Sequence, residues 1–356
     1  MKVDELVRNL PADIDGIIIE SFENRRYFTG FPSSAGLLFL SKKGSVFLTD
    51  FRYIEAAKKT INCCEVTELK KLEDQLPELA KKFDCKKLAF ETDRLTVARA
   101  KRLSRILGDI SLSESGRGAR LINGLREIKT KEEVQKVKKA QRIAEKAFEY
   151  ILTFIKVGKS EKEVALELDY FMLKNGAEAL SFDTIVAGGK NSSKPHAVPG
   201  DYRLKSGDFI TIDFGALYEG YHSDMTRTLA LGSVDGKKQE VYQTVLAAQI
   251  AGLKALKPAL ACQAADRVCR YIIEKAGYGE NFGHGTGHGV GIEIHEGPTL
   301  SPLGKGELKA GHLVTVEPGI YLPGAFGVRI EDMALITEEG AENLTKTHKE
   351  LLVLDA

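Results

Sequence analysis

The sequence predicts an α+β protein in two parts: a smaller α/β domain over residues 1–122 and a larger domain over residues 123–356 built on an internal repeat. Three observations predict this. Short apolar β runs alternate with helical patterns up to about residue 122, and beyond it a helix–helix–strands succession occurs twice. One acidic motif also recurs at equivalent places in the two copies. The first copy reads Gly207-Asp-Phe-Ile-Thr-Ile-Asp213, followed by Asp224; the second reads Gly311-His-Leu-Val-Thr-Val-Glu317, followed by Glu331.

In chain order, Asp15-Gly-Ile-Ile-Ile-Glu20 is an apolar strand. Leu37-Leu-Phe-Leu40 and Ser45-Val-Phe-Leu-Thr49 flank Lys42-Lys-Gly44 as a hairpin. Helical patterns cover roughly 72–83 and 95–107, with a strand at Lys87-Leu-Ala-Phe90 between them. No catalytic cluster stands out in this part. A boundary follows near Ser115-Gly-Arg-Gly118 and Leu125-Arg-Glu-Ile-Lys129. Thr130-Lys-Glu-Glu133 is a capping-box start for a long helix with apolar residues at Val134, Val137, Ala144, Phe148 and Ile151. Ser160-Glu-Lys-Glu163 opens a second helix that Gly176 ends. Strands run to about 232, a second helix pair covers about 238–256 and 262–276, and strands return.

Bulk properties exclude several classes. Lys+Arg 51 against Asp+Glu 50 leaves a net charge of +1, which gives no electrostatic footprint for nucleic acid or an anionic membrane. No run approaches the ~18 apolar residues of a membrane span, and Met1-Lys-Val-Asp-Glu-Leu6 lacks the apolar core of a signal peptide. The five cysteines show no CxxC spacing, and adjacent Cys63 and Cys64 are poorly placed to bridge, so reduced thiols in a cytoplasm are expected.

The acidic pairs carry the chemistry. Antiparallel partners have residue numbers of constant sum and face the same side about 5 Å apart. Asp213 and Asp224 pair if the turn centres between Tyr218 and Glu219; Glu317 and Glu331 pair if it centres on Gly324, after Pro323. Pro318 removes a ladder donor, so the second hairpin should be irregular there. One such pair alone could be surface acids in solvent. Ile210, Ile212, Val314 and Val316 oppose that reading, and Thr211 and Thr315 share the acids' face, as expected of a polar cavity. Four converging carboxylates are costly to bury without cations, which points to a metal centre.

Five of the seven histidines lie at 196, 222, 284, 288 and 295. His284 and His288 stand at i, i+4 but among interleaved glycines, so this is no HExxH helix. One histidine with four carboxylates is a hard, oxygen-rich set that suits two divalent ions, Mn²⁺ first, with Co²⁺ or Zn²⁺ as the other candidates. Such a centre activates a hydroxide, making hydrolysis the default reaction. His196 and His295 precede the two acidic strands by 17 and 22 residues and read as hydrogen-bond donors at the site. His222 reads as structural, and His312 and His348 as solvated.

These motifs resemble the pita-bread metallopeptidases, in particular the Xaa-Pro branch of aminopeptidase P and Xaa-Pro dipeptidase (prolidase). Asp213, Asp224, His288, Glu317 and Glu331 match the family's five metal-ligand positions in order. Asn24-Arg-Arg-Tyr-Phe-Thr-Gly30 and Thr49-Asp-Phe-Arg-Tyr53 are similar to the creatinase-type N-terminal domain. The resemblance implies a C-terminal pita-bread domain of pseudo-twofold symmetry. It implies that Asp213 holds one metal, His288 and Glu317 the other, and that Asp224 and Glu331 bridge both. It makes Glu317 a proton shuttle, His295 and His196 stabilisers of the scissile carbonyl, and His284 and Arg329 substrate-side residues. It also implies a proline-containing peptide substrate and a homodimer. A non-catalytic pita-bread module or a metal-free creatinase-like amidinohydrolase would be expected to lack this ligand set. Dipeptidase against aminopeptidase activity stays open.

Overall fold

The computed structural model describes residues 2–356. The chain divides into two compact units, Met1–Arg126 and Glu127–Ala356. The unit boundary lies a few residues past the expected 122/123 division, because the helix Arg117–Glu127 runs unbroken through that point. No helix among the described residues is long and apolar enough to cross a membrane.

The first unit is built on a six-stranded mixed sheet. Its strands are β1 (Gly16–Ile19), β2 (Leu37–Ser41), β3 (Gly44–Thr49), β4 (Glu65–Glu68), β5 (Lys87–Phe90) and β6 (Ser111–Ser113), in the order β4-β3-β2-β1-β5-β6. The Gly-Ile-Ile-Ile run of β1 is buried throughout, as a central strand covered on both faces requires. The hairpin at Lys42-Lys43 joins β2 to β3 with Ser41 opposite Gly44. Helices Leu72–Lys82 and Val97–Leu107 turn Leu76, Ala80, Leu103 and Leu107 onto this sheet's core.

The second unit repeats one plan twice, a pair of helices laid over strands. Lys131–Phe154 and Glu161–Lys174 form the first pair, Gly236–Ala255 and Cys262–Lys275 the second. Both expected capping boxes are present. Thr130 Oγ1 accepts from the Glu133 amide at 3.3 Å while Glu133 returns a carboxylate to the Thr130 amide at 2.7 Å, and Ser160 and Glu163 do the same at 3.1 and 2.8 Å. Val134, Val137, Ala144, Phe148 and Ile151 are all buried.

The strands of this unit are β7 (Ala179–Leu180), β8 (Ile185–Gly188), β9 (Phe209–Phe214), β10 (Ala216–Tyr218), β11 (Tyr221–His222), β12 (Met225–Leu231), β13 (Gly287–Gly289), β14 (Glu296–Leu300), β15 (Leu313–Val316), β16 (Gly319–Leu322), β17 (Phe326–Arg329), β18 (Asp332–Ile336), β19 (Ala341–Asn343) and β20 (Val353–Leu354). The first helix pair packs on the β20-β12-β9-β8 sheet through Phe148, Ile151, Leu168, Ile210 and Ile212. The second packs on strands of the other copy through Val241, Val245, Cys269, Val314 and Val316. The two acidic strands, β9 and β15, therefore run beneath separate helix pairs with their apolar residues inward.

The second hairpin keeps the expected register. Val316 pairs with Asp332 and Gly319 with Arg329, a constant sum whose centre is Gly324, and the ladder breaks between them around Pro318. The first hairpin does not. Asp213 pairs with Thr226 rather than Asp224, and Tyr218 pairs with Tyr221, so the turn residues are Glu219 and Gly220. Both have positive φ, 46° and 83°, the signature of a tight primed turn whose twist matches the strands. The centre is one position further along than expected, and Asp224 sits in the kink between β11 and β12.

Candidate metal centre

The kink and the ladder break bring the five expected ligands together at one end of a cavity of about 540 Å³, whose wall includes Asp213, Asp224, His288, Glu317 and Glu331. Asp213 comes from β9. Asp224 and Glu331 come from the irregular residues ahead of β12 and β18, and Glu317 from the break after β15. Irregular backbone at three of the four acids lets their side chains turn inward without continuing the ladder.

His288 lies on β13, where close-packed glycines let the chain pass against its neighbours; a Cβ on Gly287 would stand 2.0 Å from the Thr315 carbonyl oxygen. The His288 Nδ1–H donates to the Gly289 carbonyl at 3.0 Å, which leaves Nε2 as the atom facing the acids. Nε2 stands 3.3 Å from Glu317 Oε1 and 3.6 Å from Asp224 Oδ2. One ligand atom each from Asp224, His288 and Glu331 lie within 4.8 Å of one another.

The electrostatics of this cluster are unbalanced. Burial, followed by the charges of neighbouring carboxylates, holds Asp224 and Glu331 well above the usual carboxylate range. Asp213 is also raised by burial, against the opposing charge of Arg329, whose Nη2 donates to its Oδ2 at 2.7 Å. Burial pushes Glu317 up too, but the hydrogen bond and charge of His288 outweigh it and bring it to about 2. His288 is correspondingly raised, the pull of Glu317 exceeding its own burial.

The remaining donors are few. Thr226 Oγ1 donates to Glu331 Oε2 at 2.7 Å, and Thr315 Oγ1 to Glu317 Oε1 at 3.2 Å. Among the described residues, no hydrogen-bond donor reaches the buried Asp213 Oδ1 or Glu331 Oε1. Buried carboxylate oxygens are rarely left bare. Two bare oxygens within a group of four acids and a histidine nitrogen fit divalent cations.

His196, His284, His295 and Arg329 all line the same cavity. His295 lies against His288, ring centroids 4.3 Å apart, and burial lowers it. His284 is lowered by burial as well; its Nδ1 pairs with the Gly285 carbonyl and its Nε2 with Tyr321 Oη, each at 2.9 Å. Arg329 is 3% exposed and ties three elements together: it donates to Asp213, to Tyr321 Oη at 2.8 Å, and to the Pro195 carbonyl beside His196 at 3.2 Å. Thr211 does not line the cavity; its hydroxyl pairs with that of Thr228 at 3.0 Å. His222 is not on the wall either. His348 is solvated as expected, but His312 is not. It is 3% exposed, and its Nδ1 accepts the Lys309 amide at 3.1 Å, because Leu313 and the apolar strand behind it draw it inward.

Two participants escaped the sequence reading. Tyr321 joins His284 to Arg329, and burial pushes its hydroxyl up to about 12. Thr226 bridges Glu331 and the Arg329 Nε, 3.0 Å away. Strand alternation marks neither: the ladder breaks between Glu317 and Tyr321, and Asp224 lies outside β12.

Residues 135–338 match the model for Metallopeptidase family M24, and residues 10–128 match that for the Creatinase/Prolidase N-terminal domain. The chain is 40% identical over 354 residues to the Xaa-Pro dipeptidase of Pyrococcus furiosus, covering 99% of each. Among solved structures, it superposes on an Xaa-Pro dipeptidase from Bacillus anthracis with a TM-score of 0.94 at 44% identity, covering 99% of both chains. It superposes on the X-Pro aminopeptidase from Thermotoga maritima with a TM-score of 0.91 at 37% identity, covering 99% of this chain and 100% of that one.

Proposed function

This chain belongs to metallopeptidase family M24, and from that premise we propose that it hydrolyses the Xaa-Pro bond of dipeptides or at the N-terminus of longer peptides. The observation that carries the reading is the pair of bare buried oxygens, Asp213 Oδ1 and Glu331 Oε1, beside His288 Nε2 in a substrate-sized cavity. The full-length similarity to proteins named Xaa-Pro dipeptidase supports the substrate class.

Two divalent ions, Mn²⁺ by the hardness of the donor set, would be held by Asp213 on one side, by His288 and Glu317 on the other, and by Asp224 and Glu331 between them. When bound, such ions supply an acidified water and a Lewis acid for the carbonyl. Glu317 takes a proton on its carboxylate and delivers it toward the proline nitrogen, which must be protonated to leave. His295 and His196 donate to the carbonyl oxygen as charge gathers there. Arg329 holds Asp213 in place and, through Tyr321, fixes the His284 ring. An Xaa-Pro bond is a tertiary amide with no N–H, so recognition of this linkage rests on shape and on groups that meet the carbonyl and the ring. Five unbridged cysteines support a reducing, cytoplasmic setting.

Mn²⁺-loaded protein offered Gly-Pro and Gly-Pro-Gly-Gly tests the reading. Cleavage of Gly-Pro alone makes it a dipeptidase, cleavage of the tetrapeptide makes it an aminopeptidase, and cleavage of neither sinks the proposal. Asp213→Asn should lower the rate by about a hundredfold or more with the fold retained by circular dichroism.

A further inference from the structure

The charged residues lining the cavity are the four cluster acids, Arg329 and Asp183. Arg329 is committed to Asp213, so Asp183 is the charge on the wall that the chemistry does not use. It is exposed, and among the described residues no cationic side chain pairs with it. Its charge acts instead on another acid, Asp169. An unneutralised carboxylate on a cavity wall is a recognition group awaiting a positive partner.

Asp183 is presented on anchored backbone. On one side, the Ser181 amide donates to the Gly215 carbonyl at 2.9 Å and its hydroxyl to the Ala216 carbonyl at 3.0 Å. On the other, Thr184 Oγ1 donates to Asp169 at 2.5 Å. Ile185, the first residue of β8, is the direct register partner of Asp213 on β9. Asp183 thus stands two residues before Ile185 at the edge of the metal cluster, at most about 7 Å away along the chain. That span matches the four-carbon stem and ammonium of a lysine side chain. Phe182, Ile185, Ile294 and Val198 supply apolar wall for such a stem.

Every Xaa-Pro dipeptide carries the same α-ammonium and proline carboxylate, so the charge that varies between substrates is that of the Xaa side chain. We propose that Asp183 is a specificity-determining residue that favours a lysine or arginine at the N-terminal position of the Xaa-Pro substrate. The stem lies along Ile185 and Phe182 and the cationic end meets the Asp183 carboxylate. The inference rests on the Xaa-Pro reading above and goes beyond it by naming the side-chain class.

The test compares kcat/KM for Lys-Pro, Met-Pro and Glu-Pro at low ionic strength in the wild type, Asp183→Asn and Asp183→Lys. Lys-Pro and Met-Pro have stems of similar length and differ in charge. The Lys-Pro to Met-Pro ratio should fall at least threefold in Asp183→Asn, a size set by an exposed ion pair. Asp183→Lys should shift preference toward Glu-Pro, and 0.5 M salt should shrink the wild-type ratio. A ratio that changes by less than threefold in Asp183→Asn overturns the proposal. That includes the case where all three substrates lose rate equally, which would assign Asp183 to the common α-ammonium. If no Xaa-Pro dipeptide is cleaved by the wild type, the reaction assignment fails instead, so the two failures are distinct.

Discussion

His288 and His312 show how one residue type takes opposite roles within the same unit. His288 commits Nδ1 to a backbone carbonyl and offers Nε2 to two carboxylates. His312 faces no such partner at close range: Glu127 is 4.0 Å away, while burial and the charges of Lys129 and Lys309 lower its pKa from 6.5 to about 4. The folded protein therefore keeps His312 neutral where the unfolded chain takes up a proton. Stability associated with this group is present above about pH 6.5 and is lost as pH falls toward 4, up to about 3 kcal/mol. His312→Asn, whose Oδ1 can accept the Lys309 amide in place of Nδ1, should flatten this fall. Urea midpoints at pH 7, 5.5 and 4.5 check it; parallel wild-type and variant curves would show that His312 does not contribute.

At the scale of elements, the segment leading into the long helix Lys131–Phe154 is pinned to the strand that follows His295. Lys129 Nζ donates to Glu296 Oε1 at 2.5 Å, with the two side chains 1% and 6% exposed. A buried pair of this kind adds little over an apolar substitute, yet breaking one half leaves an uncompensated charge. Lys129→Met should cost about 3–5 kcal/mol, and the double variant Lys129→Met/Glu296→Gln should recover at least half of it. Chemical denaturation of the three proteins measures this; additive losses would mean the two side chains act independently. The two hairpins make a related point about elements. Pro323 and Gly324 put the second turn where the motif expects it, and its register follows. In the first, Glu219 takes a positive φ, and contacts outside the hairpin accompany it: Lys136 lies 3.3 Å from the Glu219 carboxylate, and the Gly220 amide donates to Glu178 at 3.1 Å.

For the whole molecule, the proposed metal sites couple the two repeats of the second unit, since their ligands come from both. Ligand binding to the folded form alone stabilises by about 2.7 kcal/mol at a hundred times Kd. Mn²⁺ should therefore raise the thermal midpoint of the metal-free protein, and chelation should reverse the rise. Glu331→Gln and Asp224→Asn should lose most of this shift. Because each also removes a carboxylate that burial disfavours, the metal-free variants should be no less stable than the metal-free wild type. Scanning calorimetry with and without Mn²⁺ decides it: a midpoint indifferent to metal would contradict the proposed centre.

Local signals in the chain account for the class of fold, both helix pairs, the two capping boxes of the first pair and the second hairpin's register, and they single out the acids and histidines that line one cavity. These are short-range signals: a cap needs a partner three residues away, and a Pro-Gly turn sets the register of the hairpin around it. The tertiary structure decided what those signals do not encode. Thr226 rather than Asp224 stands opposite Asp213, in a hairpin whose turn residues Glu219 and Gly220 are held by contacts from other elements. His312 is buried, although it reads as solvated from the sequence. Arg329 neutralises Asp213 across 116 residues and Thr226 caps Glu331 across 105, which leaves one oxygen of each acid bare. Pairings at that separation depend on how the two repeats pack against each other. Electrostatic balance at the centre is therefore a property of the assembled unit, whereas the identity of its charges is written in two short segments.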